Sequence, residues 1–529
     1  MQARFNASEY FVDRHLQEGR GERVAIECGD ERVTYAQLSD RVNRFGAGLR
    51  DALAVRMEER VLLLLPDIPE FAYCFFGAIK IGAVPVSVNT LLRASDYEYF
   101  LRDTRARVAV VGESLVHLIL QIPRERLEFL QTLIVVGVAP PGAVSFADFL
   151  RPHSEKIAAA PTCKDDAAFW LYSSGSTGSP KACVHRQNDM VAATEQYALN
   201  VLKIRESDRF FSAAKLFFAY GLGNALYFPL AVGGTAILCP GRPSPQNVFA
   251  VIERHRPTLF FSVPSNFAAL AEYRRDTVDV RETCDPRAES EFDLSSIRLG
   301  VSAGEALPAA LYERFTKRFG IEILDGIGST EALHIFISNS PGKVRPGSCG
   351  RVVPGCDANI LDEQGQPVPV GEIGNLWLKS ESTCAGYWNR HERTRQTIKG
   401  EWISTGDKFY QDQDGYYWFA GRADDMFKVS GVWVCPSEIE SVLLEHDAVA
   451  EVAVVAYEDK DGLNKPVAWV ALRAGYVGGP FLASALLEFV IARLPSYKRP
   501  RRIEFVSELP RTATGKIRRF KLRQANIDH

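Results

Sequence analysis

The chain has no long apolar run. None approaches the ~18 residues that a membrane-spanning helix requires, and the longest, at 61–65 and 132–136, have the length of strands. The first six residues also lack the apolar core of a secretory signal. We therefore expect a cytoplasmic protein without a membrane partner.

Metal-binding cysteine patterns are missing as well. The ten cysteines are scattered, with no Cys-x-x-Cys pair and no Cys/His cluster at metal-ligand spacing. This distribution is typical of reduced, mostly buried thiols and predicts no structural zinc.

Neither sign of charge is in large excess. The 62 Lys/Arg residues nearly balance 65 Asp/Glu, which gives a formal net charge of −3 and predicts no nucleic-acid partner. The exception is the tail at 493–523, where eleven basic residues face two acidic ones. Because few aromatic residues interrupt this tail, we interpret it as a solvated or phosphate-handling surface.

Short apolar segments alternate with longer amphipathic ones along most of the 529 residues. This alternation predicts α/β layers with largely parallel sheets. The predicted strands are 61–66, 108–111, 132–138, 258–263 and 297–301, and the predicted helices are 71–80, 311–319 and 480–494.

The chain is too long for one core, so two or more domains are expected. From residue 360, turn signals at 363–367, 370–372 and 412–415 predict a β-rich subdomain that ends near residue 422. The charged segment 273–293 predicts a mobile surface loop. We predict a large N-terminal domain at 1–423, with layered α/β subdomains and the β-rich subdomain, and a small mobile α+β C-terminal domain at 424–529.

The most distinctive local pattern is a Ser/Thr/Gly-rich loop. The apolar segment 167–171 predicts a strand, and Tyr-Ser-Ser-Gly-Ser-Thr-Gly-Ser-Pro-Lys follows at 172–181. Glycines allow close backbone approach, so N–H groups, hydroxyls and Lys181 could surround a phosphate chain. The spacing differs from the ordinary G-x-x-x-x-G-K-[ST] loop, and alone it also fits a flexible connector.

Five further motifs follow in the chain. They are Ser-Ala-Gly-Glu at 302–305, Asp-Gly-Ile-Gly-Ser-Thr-Glu at 325–331, Ser-Thr-Gly-Asp at 404–407, Gly-Arg-Ala-Asp-Asp at 421–425 and Pro-Arg-Thr-Ala-Thr-Gly-Lys at 510–516. Each alone fits an ordinary turn or solvated loop. Their joint occurrence in this order is the informative observation.

The ordered set resembles the adenylate-forming superfamily of acyl-CoA synthetases, peptide-synthetase adenylation domains and luciferases. The resemblance covers essentially the whole chain, and segments 212–224 and 328–336 resemble benzoate-type aryl-CoA ligases in particular. It implies that a carboxylate attacks the α-phosphorus of ATP and expels pyrophosphate. The thiol of CoA then displaces AMP from the acyl adenylate.

The resemblance also implies which residues bind ATP. The β- and γ-phosphates would be held by Ser173, Ser174, Gly175, Ser176, Thr177, Gly178 and Lys181. Adenine would be framed by Gly304, Glu305, Asp325, Gly326 and Ile327. Asp407 would accept hydrogen bonds from the ribose hydroxyls, and Arg422 would assist at the ribose.

Three residues would act on the reacting groups. Glu331 is similar to the superfamily's Mg²⁺-associated acid, and Thr330 to its α-phosphate contact. Lys516 would bridge the carboxylate and the α-phosphate. Such cations and donors are needed where negative charge develops.

The resemblance further implies that the C-terminal domain rotates between the two half-reactions. Asp424 matches the hinge. Lys428 and Gly431 match positions used in the second step, and the segment that ends at Trp433 would line a tunnel for the thiol of CoA.

The acid would bind among Phe218, Ala219, Tyr220, Gly304, Gly326, Gly328, His334 and Ile335. Small residues would leave width for a flat ring, and aromatic walls favour an aryl acid. Phe218 also fits a core position, and His334 could either contact a ring substituent or be satisfied within the core. We favour benzoate, with small ring-substituted benzoates open.

Two residues depart from the superfamily pattern. Ile327 stands where many members stack an aromatic side chain on adenine, and Ala182 stands where glycine commonly follows the lysine. The alternatives are an aryl-acid adenylating enzyme that loads a carrier protein, a non-catalytic nucleotide-binding relative and a luciferase-like oxygenase. The oligomeric state stays open, with a homodimer among the options.

Overall fold

The computed structural model describes residues 3–153, 156–173, 180–274, 292–422, 425–429, 432–458, 464–511 and 517–525. The described strands are β1 (Val24–Cys28), β2 (Glu31–Thr34), β3 (Arg60–Leu64), β4 (Val84–Ser87), β5 (Val108–Gly112), β6 (Thr132–Val136), β7 (Val144–Ser145), β8 (Ala167–Ser173), β9 (Lys181–Arg186), β10 (Arg209–Ser212), β11 (Thr235–Leu238), β12 (Leu259–Ser262), β13 (Leu299–Ser302), β14 (Ile323–Gly328), β15 (Ile335–Ser338), β16 (Arg351–Val352), β17 (Cys356–Leu361), β18 (Gly374–Ser380), β19 (Gly386–Tyr387), β20 (Ile398–Lys399), β21 (Trp402–Gln411), β22 (Tyr417–Arg422), β23 (Phe427–Val429), β24 (Val432–Val434), β25 (Val449–Glu458), β26 (Asn464–Leu472) and β27 (Arg502–Val506).

The described α-helices are α1 (Arg14–Gln17), α2 (Tyr35–Ala47), α3 (Pro69–Lys80), α4 (Ala94–Thr104), α5 (Glu113–Leu120), α6 (Phe146–Leu150), α7 (Asp189–Ala193), α8 (Ala219–Leu222), α9 (Phe228–Val232), α10 (Pro245–His255), α11 (Pro264–Glu272), α12 (Ala309–Phe319), α13 (His391–Thr397), α14 (Pro436–Leu444), α15 (Pro480–Ile491) and α16 (Arg519–Ala525). Short 3₁₀ or π-helical turns occupy Glu9–Asp13, Gly48–Ala52, Arg124–Arg126, Thr194–Leu199, Gly223–Tyr227 and Ser496–Lys498.

Two large mixed sheets form most of the structure up to residue 352. The eight-stranded sheet has the order β19-β9-β8-β4-β3-β5-β6-β7, and the nine-stranded sheet has the order β16-β15-β14-β13-β12-β10-β11-β1-β2. The central strands of both sheets are parallel and almost fully apolar, because helices cover both faces.

Helices α2 and α3 connect the two sheets through one core. Helix α2 begins with a capping box between Thr34 and Gln37, and α3 begins with proline in its first turn. Their buried side chains share a cluster with residues of both sheets, including Leu63 of β3 and Phe210 of β10.

The predicted β-rich subdomain is present. Strands β17, β18, β20, β21 and β22 form an antiparallel five-stranded sheet, which begins at Cys356 rather than at residue 360. After it come a two-stranded sheet, β23-β24, and a three-stranded sheet, β25-β26-β27. The α/β class with a smaller α+β C-terminal part is therefore confirmed.

All nine predicted strands and helices occur, with ends that differ by up to three residues. Most of the predicted loop at 273–293 lies outside the described residues. The predicted domain boundary between residues 423 and 424 also lies there, so the division at that point stays a prediction.

The described residues contain no helix long and apolar enough to cross a membrane. The nine cysteines among them are free. In the same part of the chain, no three His, Cys, Asp or Glu side chains gather as a metal site would require.

Candidate active site

The two ends of the Ser/Gly-rich loop lie side by side. Ser173 ends β8 and Lys181 begins β9, and these residues are register partners in an antiparallel pair. Strand β19 extends the same sheet, so that Tyr387 pairs with Cys183 of β9. Glu331 reaches this place from the turn between β14 and β15 of the other large sheet.

Glu331 is the centre of the resulting cluster. Its Oε1 accepts hydrogen bonds from the Ser173 hydroxyl at 3.2 Å and from the Tyr387 hydroxyl at 2.7 Å. The Lys181 ammonium lies 4.3 Å from the centre of the Tyr387 ring. The cluster therefore joins a carboxylate, a phenol, a hydroxyl and a cation from three separate parts of the chain.

The electrostatics keep Glu331 ionised. Burial alone would raise its pKa, but the hydrogen bonds and the charge of Lys181 outweigh burial and hold the pKa below its usual value. Burial and the negative charge of Glu331 raise the pKa of Tyr387, which stays a donor. Burial also lowers the pKa of Lys181, and Glu331 opposes that shift.

Sequence reasoning identified Ser173, Lys181 and Glu331 but missed Tyr387. Tyr387 lies 56 residues from Glu331 in the chain and belongs to a strand of two residues. The available signal was the cluster Gly386-Tyr387-Trp388, in which Gly386 has a φ of +153° that favours glycine.

Helix α4 anchors both ends of the loop. The Tyr99 hydroxyl donates to the Pro180 carbonyl at 2.7 Å, near the end of the loop. The Tyr172 hydroxyl, at the beginning of the loop, donates to Asp103 Oδ2 at 2.7 Å. Arg390 connects the two anchors, because it donates to the Tyr99 hydroxyl at 3.1 Å and lies 3.6 Å from Asp103.

The motifs at 302–305 and 325–331 leave adjacent parallel strands. Ser302 of β13 and Asp325 of β14 are register partners, so both motifs emerge at the carboxyl edge of the sheet, where ligands bind in open α/β folds. Gly304 has a φ of +95°, and Glu305 follows half-buried. Burial raises the pKa of Asp325 to about 8, although Leu307 N donates to it at 3.3 Å.

Asp407 and Arg422 face each other across the hairpin of β21 and β22. They are register partners, and Arg422 Nη1 donates to Asp407 Oδ1 at 2.8 Å. Asp407 is nearly buried, whereas Arg422 is exposed. Gly406 adopts a φ of +74°, and a Cβ there would lie 3.3 Å from the Arg422 guanidinium.

The predicted acid pocket is aromatic around His334. Its ring lies 5.6 Å from Tyr220 and 4.5 Å from Phe228, centre to centre. Its Nε2 lies 3.1 Å from Asn224 Oδ1. Burial lowers the pKa of His334 to about 3, so the ring is neutral at neutral pH.

The other predicted pocket residues lie on neighbouring elements. Ala219 and Tyr220 begin α8, with half-buried Phe218 as its N-cap, and the Tyr220 hydroxyl donates to the Val301 carbonyl at 3.0 Å. Ile335 begins β15 and is buried.

The two glycines of β14 are required by their own hairpin. A Cβ at Gly326 would lie 2.8 Å from the Ile337 carbonyl, and one at Gly328 would lie 2.6 Å from the His334 carbonyl. Close backbone approach therefore explains these glycines without reference to the width of a pocket. Ile327 lies between them and is half-buried.

Several predicted site residues lie outside the described part of the chain. They are Ser174, Gly175, Ser176, Thr177, Gly178, Asp424, Gly431 and Lys516. For Lys428 and Trp433 the structure describes the backbone, which pairs them across β23 and β24.

The two sheets, the β-rich subdomain and an ionised Glu331 beside Ser173 and Lys181 indicate an adenylate-forming enzyme. The chain belongs to the AMP-binding enzyme family: residues 12–388 match that family, and residues 438–516 match its C-terminal domain. This match confirms the superfamily predicted from the motifs.

Individual relatives support the same family. The chain is 47% identical to a benzoate–CoA ligase of Thauera aromatica over 99% of this chain and 96% of that protein. The structure of the anthranilate CoA ligase AuaEII with anthranoyl-AMP superposes with a TM-score of 0.93 at 43% identity, covering 100% and 98% of the two chains. A benzoate CoA ligase of Burkholderia xenovorans LB400 gives 0.87 at 44% identity, covering 98% and 100%.

Proposed function

We propose that this chain is an ATP-dependent aryl-CoA ligase for benzoate or a small ring-substituted benzoate. The observation that carries the proposal is the ionised Glu331, held by Ser173 and Tyr387 where the two ends of the phosphate loop meet. The likeness to two benzoate–CoA ligases and an anthranilate CoA ligase supports the acyl group.

In the first half-reaction, an oxygen of the aryl carboxylate attacks the α-phosphorus of ATP. The bond to the bridging oxygen breaks, and pyrophosphate leaves. Lys181 and the loop residues 173–178 hold the β- and γ-phosphates, and Thr330 donates to the α-phosphate. Lys516 bridges the two reacting anions, which lowers the cost of bringing them together.

Glu331 fits a role as the protein ligand of Mg²⁺. Its carboxylate is ionised, and the hydrogen bonds that reach it from the described side chains both end on Oε1. Mg²⁺ is commonly bound by one or two carboxylates together with substrate phosphates. When bound there, the ion would neutralise charge on the phosphates.

The nucleoside would lie between the motifs at 302–305 and 325–331 and the β21–β22 hairpin. Residues 304–305 and 325–327 frame adenine. Asp407 accepts hydrogen bonds from the ribose hydroxyls. Arg422 fixes the Asp407 carboxylate from the solvent side, consistent with their 2.8 Å contact.

In the second half-reaction, the sulfur of CoA attacks the acyl carbon and AMP leaves. Rotation of residues 424–529 about Asp424 replaces Lys516 in the site by the segment that contains Lys428, Gly431 and Trp433. The aromatic surroundings of the acid, Tyr220, Phe228 and His334, favour a flat ring over a long alkyl chain.

A panel of acids tests the proposal. AMP formation with ATP, Mg²⁺ and CoA is measured with benzoate, 2-aminobenzoate, 4-hydroxybenzoate, cyclohexanecarboxylate and octanoate. We expect CoA-dependent turnover to be greatest for benzoate or one of its close derivatives. Glu331→Gln should abolish turnover, whereas Glu363→Gln, on an exposed side chain, should not.

Two outcomes would contradict the proposal. Greatest turnover with octanoate would refute the aryl pocket. Pyrophosphate exchange driven by an aryl acid without any thioester of CoA would instead indicate that the acceptor is a carrier protein.

A further inference from the structure

A buried histidine and aspartate lie beneath the motif that carries Thr330 and Glu331. His185 belongs to β9, four residues after Lys181, and both His185 and Asp189 are fully buried. The His185 ring stacks on Phe169 of β8, with centres 5.0 Å apart and planes 16° apart.

Each ring nitrogen of His185 faces one oxygen. Nε2 lies 2.9 Å from the Thr330 carbonyl oxygen, and Nδ1 lies 3.1 Å from Asp189 Oδ2. A carbonyl oxygen can only accept, so Nε2 carries the proton of that contact. Two acceptors cannot share a hydrogen bond, so the His185–Asp189 pair also holds a proton between Nδ1 and Oδ2. That hydrogen bond fixes the plane of the ring, as the outer partner of a functional imidazole does.

Asp189 is itself held firmly. The backbone N–H of Arg186 donates to its Oδ2 and the Arg186 guanidinium to its Oδ1, both at 3.0 Å. The carboxylate thus has donors on both oxygens and cannot turn away from the ring. The orientation of His185 is therefore determined by β8, β9 and the first turn of α7.

The turn above His185 is strained. Leu333 is fully buried and has a φ of +67°, which is unfavourable for a bulky side chain. Its N–H donates to the Thr330 carbonyl at 3.2 Å, and Ala332 N donates to Ser329 Oγ at 3.1 Å. Such a backbone persists only where the surroundings over-determine it.

We propose that His185 and Asp189 are a positioning pair that holds the 329–333 turn, and with it Thr330 and Glu331, for the adenylation half-reaction. The pair links β9, which follows the phosphate loop, to the turn that carries Glu331. It therefore fixes the position of the loop's end relative to Glu331. This inference rests on the proposed function of Thr330 and Glu331.

The principal test compares His185→Phe with the wild-type protein. Phenylalanine keeps the stacking on Phe169 but removes one of the two donors to the Thr330 carbonyl, so that only the N–H of Leu333 remains. We expect kcat for acid-dependent ATP–pyrophosphate exchange to fall about two- to tenfold, the range for one lost neutral hydrogen bond. Thioester formation from preformed benzoyl-AMP should be close to the wild-type rate, because the positioning pair acts on the adenylation half-reaction.

Two further variants separate positioning from general stability. His185→Gln can place an amide donor near the Thr330 carbonyl, so it should recover part of the lost exchange rate. His255→Phe is the matched control, because His255 is also buried and lies 2.9 Å from a carboxylate oxygen of Glu27. We expect this control to lower the thermal midpoint while the ratio of the two half-reaction rates is unchanged.

Equal losses in both half-reactions of His185→Phe, or no loss in exchange, would overturn the inference. A wild-type protein that shows no exchange with any acid would instead refute the proposed function. In that case, calorimetric titration with Mg·ATP tests the pair alone: weaker binding by His185→Phe supports it, and equal binding overturns it.

Discussion

At the scale of single residues, Glu331 shows how an acid in a mostly enclosed site stays charged. Burial favours its neutral form, yet its pKa is lowered because two hydroxyls donate to it and Lys181 lies nearby. The shorter of the two hydrogen bonds, at 2.7 Å, comes from Tyr387. The protonation state of Glu331 thus depends on a residue outside the recognised motifs.

Tyr387→Phe should shift the acid side of the pH profile. Without the phenol the pKa of Glu331 rises, so the carboxylate is protonated, and activity is lost, at higher pH than in the wild-type protein. Hydrogen bonds to charged groups contribute about 1.5–3 kcal/mol, which corresponds to about one to two pH units. The measurement is kcat for ATP–pyrophosphate exchange between pH 5 and 9.

Tyr416→Phe is the control for that shift. The Tyr416 hydroxyl also donates to a protein oxygen, the Lys343 carbonyl at 3.0 Å, but away from Glu331. Identical acid limbs in wild-type and Tyr387→Phe proteins would show that Tyr387 does not set the charge of Glu331.

At the scale of elements, α4 holds the phosphate loop from outside. Tyr99 and Asp103 are four residues apart and therefore project from the same side of the helix. Tyr99 contacts Pro180 near the end of the loop, and Asp103 contacts Tyr172 at its beginning. This arrangement fixes where the loop begins and ends.

Tyr99→Phe should raise KM for ATP about two- to tenfold, the range for one neutral hydrogen bond, while kcat stays within about twofold because Glu331 is untouched. Steady-state kinetics at saturating acid and CoA provide the measurement. Tyr97→Phe serves as control, because the Tyr97 hydroxyl of the same helix donates to the Asn89 carbonyl instead. Equal KM values for the two variants would refute the anchoring role.

Local sequence pattern predicted the strands well because each central strand is a continuous apolar run. It could not predict which strands become neighbours. Strand β19 has only two residues, and its pairing with β9 bridges about two hundred residues. Tyr387 was therefore missed, whereas Ser173, Lys181 and Glu331 belong to motifs with their own local signal.

The same limit applies to His185. It was visible in the sequence just after the phosphate loop, but nothing local indicated that its ring would reach the Thr330 carbonyl 145 residues away. The same holds for the two glycines of β14. Glycine is required there because two strands approach closely, and this approach is visible only in the folded hairpin.

At the scale of the whole molecule, we expect residues 424–529 to rotate about a hinge at Asp424. The family matches end at residue 388 and resume at residue 438, and Asp424 lies in the interval between them. Asp424→Pro restricts φ at one residue. It should leave pyrophosphate exchange within about threefold and reduce thioester formation at least about tenfold, because the second step requires the rotation.

Asp424→Ala is the matched variant, since it removes the carboxylate and keeps the backbone free. Both half-reactions should be near wild-type in this variant. If Asp424→Pro slowed the two half-reactions equally, residue 424 would not be the hinge.

The long chain separation between Ser173 and Glu331, 158 residues, also has a consequence for how the protein is made. Closing so long a loop has an entropic cost that is recovered only after both large sheets exist. A growing polypeptide on the ribosome cannot complete the eight-stranded sheet before residue 387 has emerged. The ability to bind nucleotide therefore arises late in synthesis. A nucleotide that binds only the completed site would shift the folding equilibrium toward the native state by mass action.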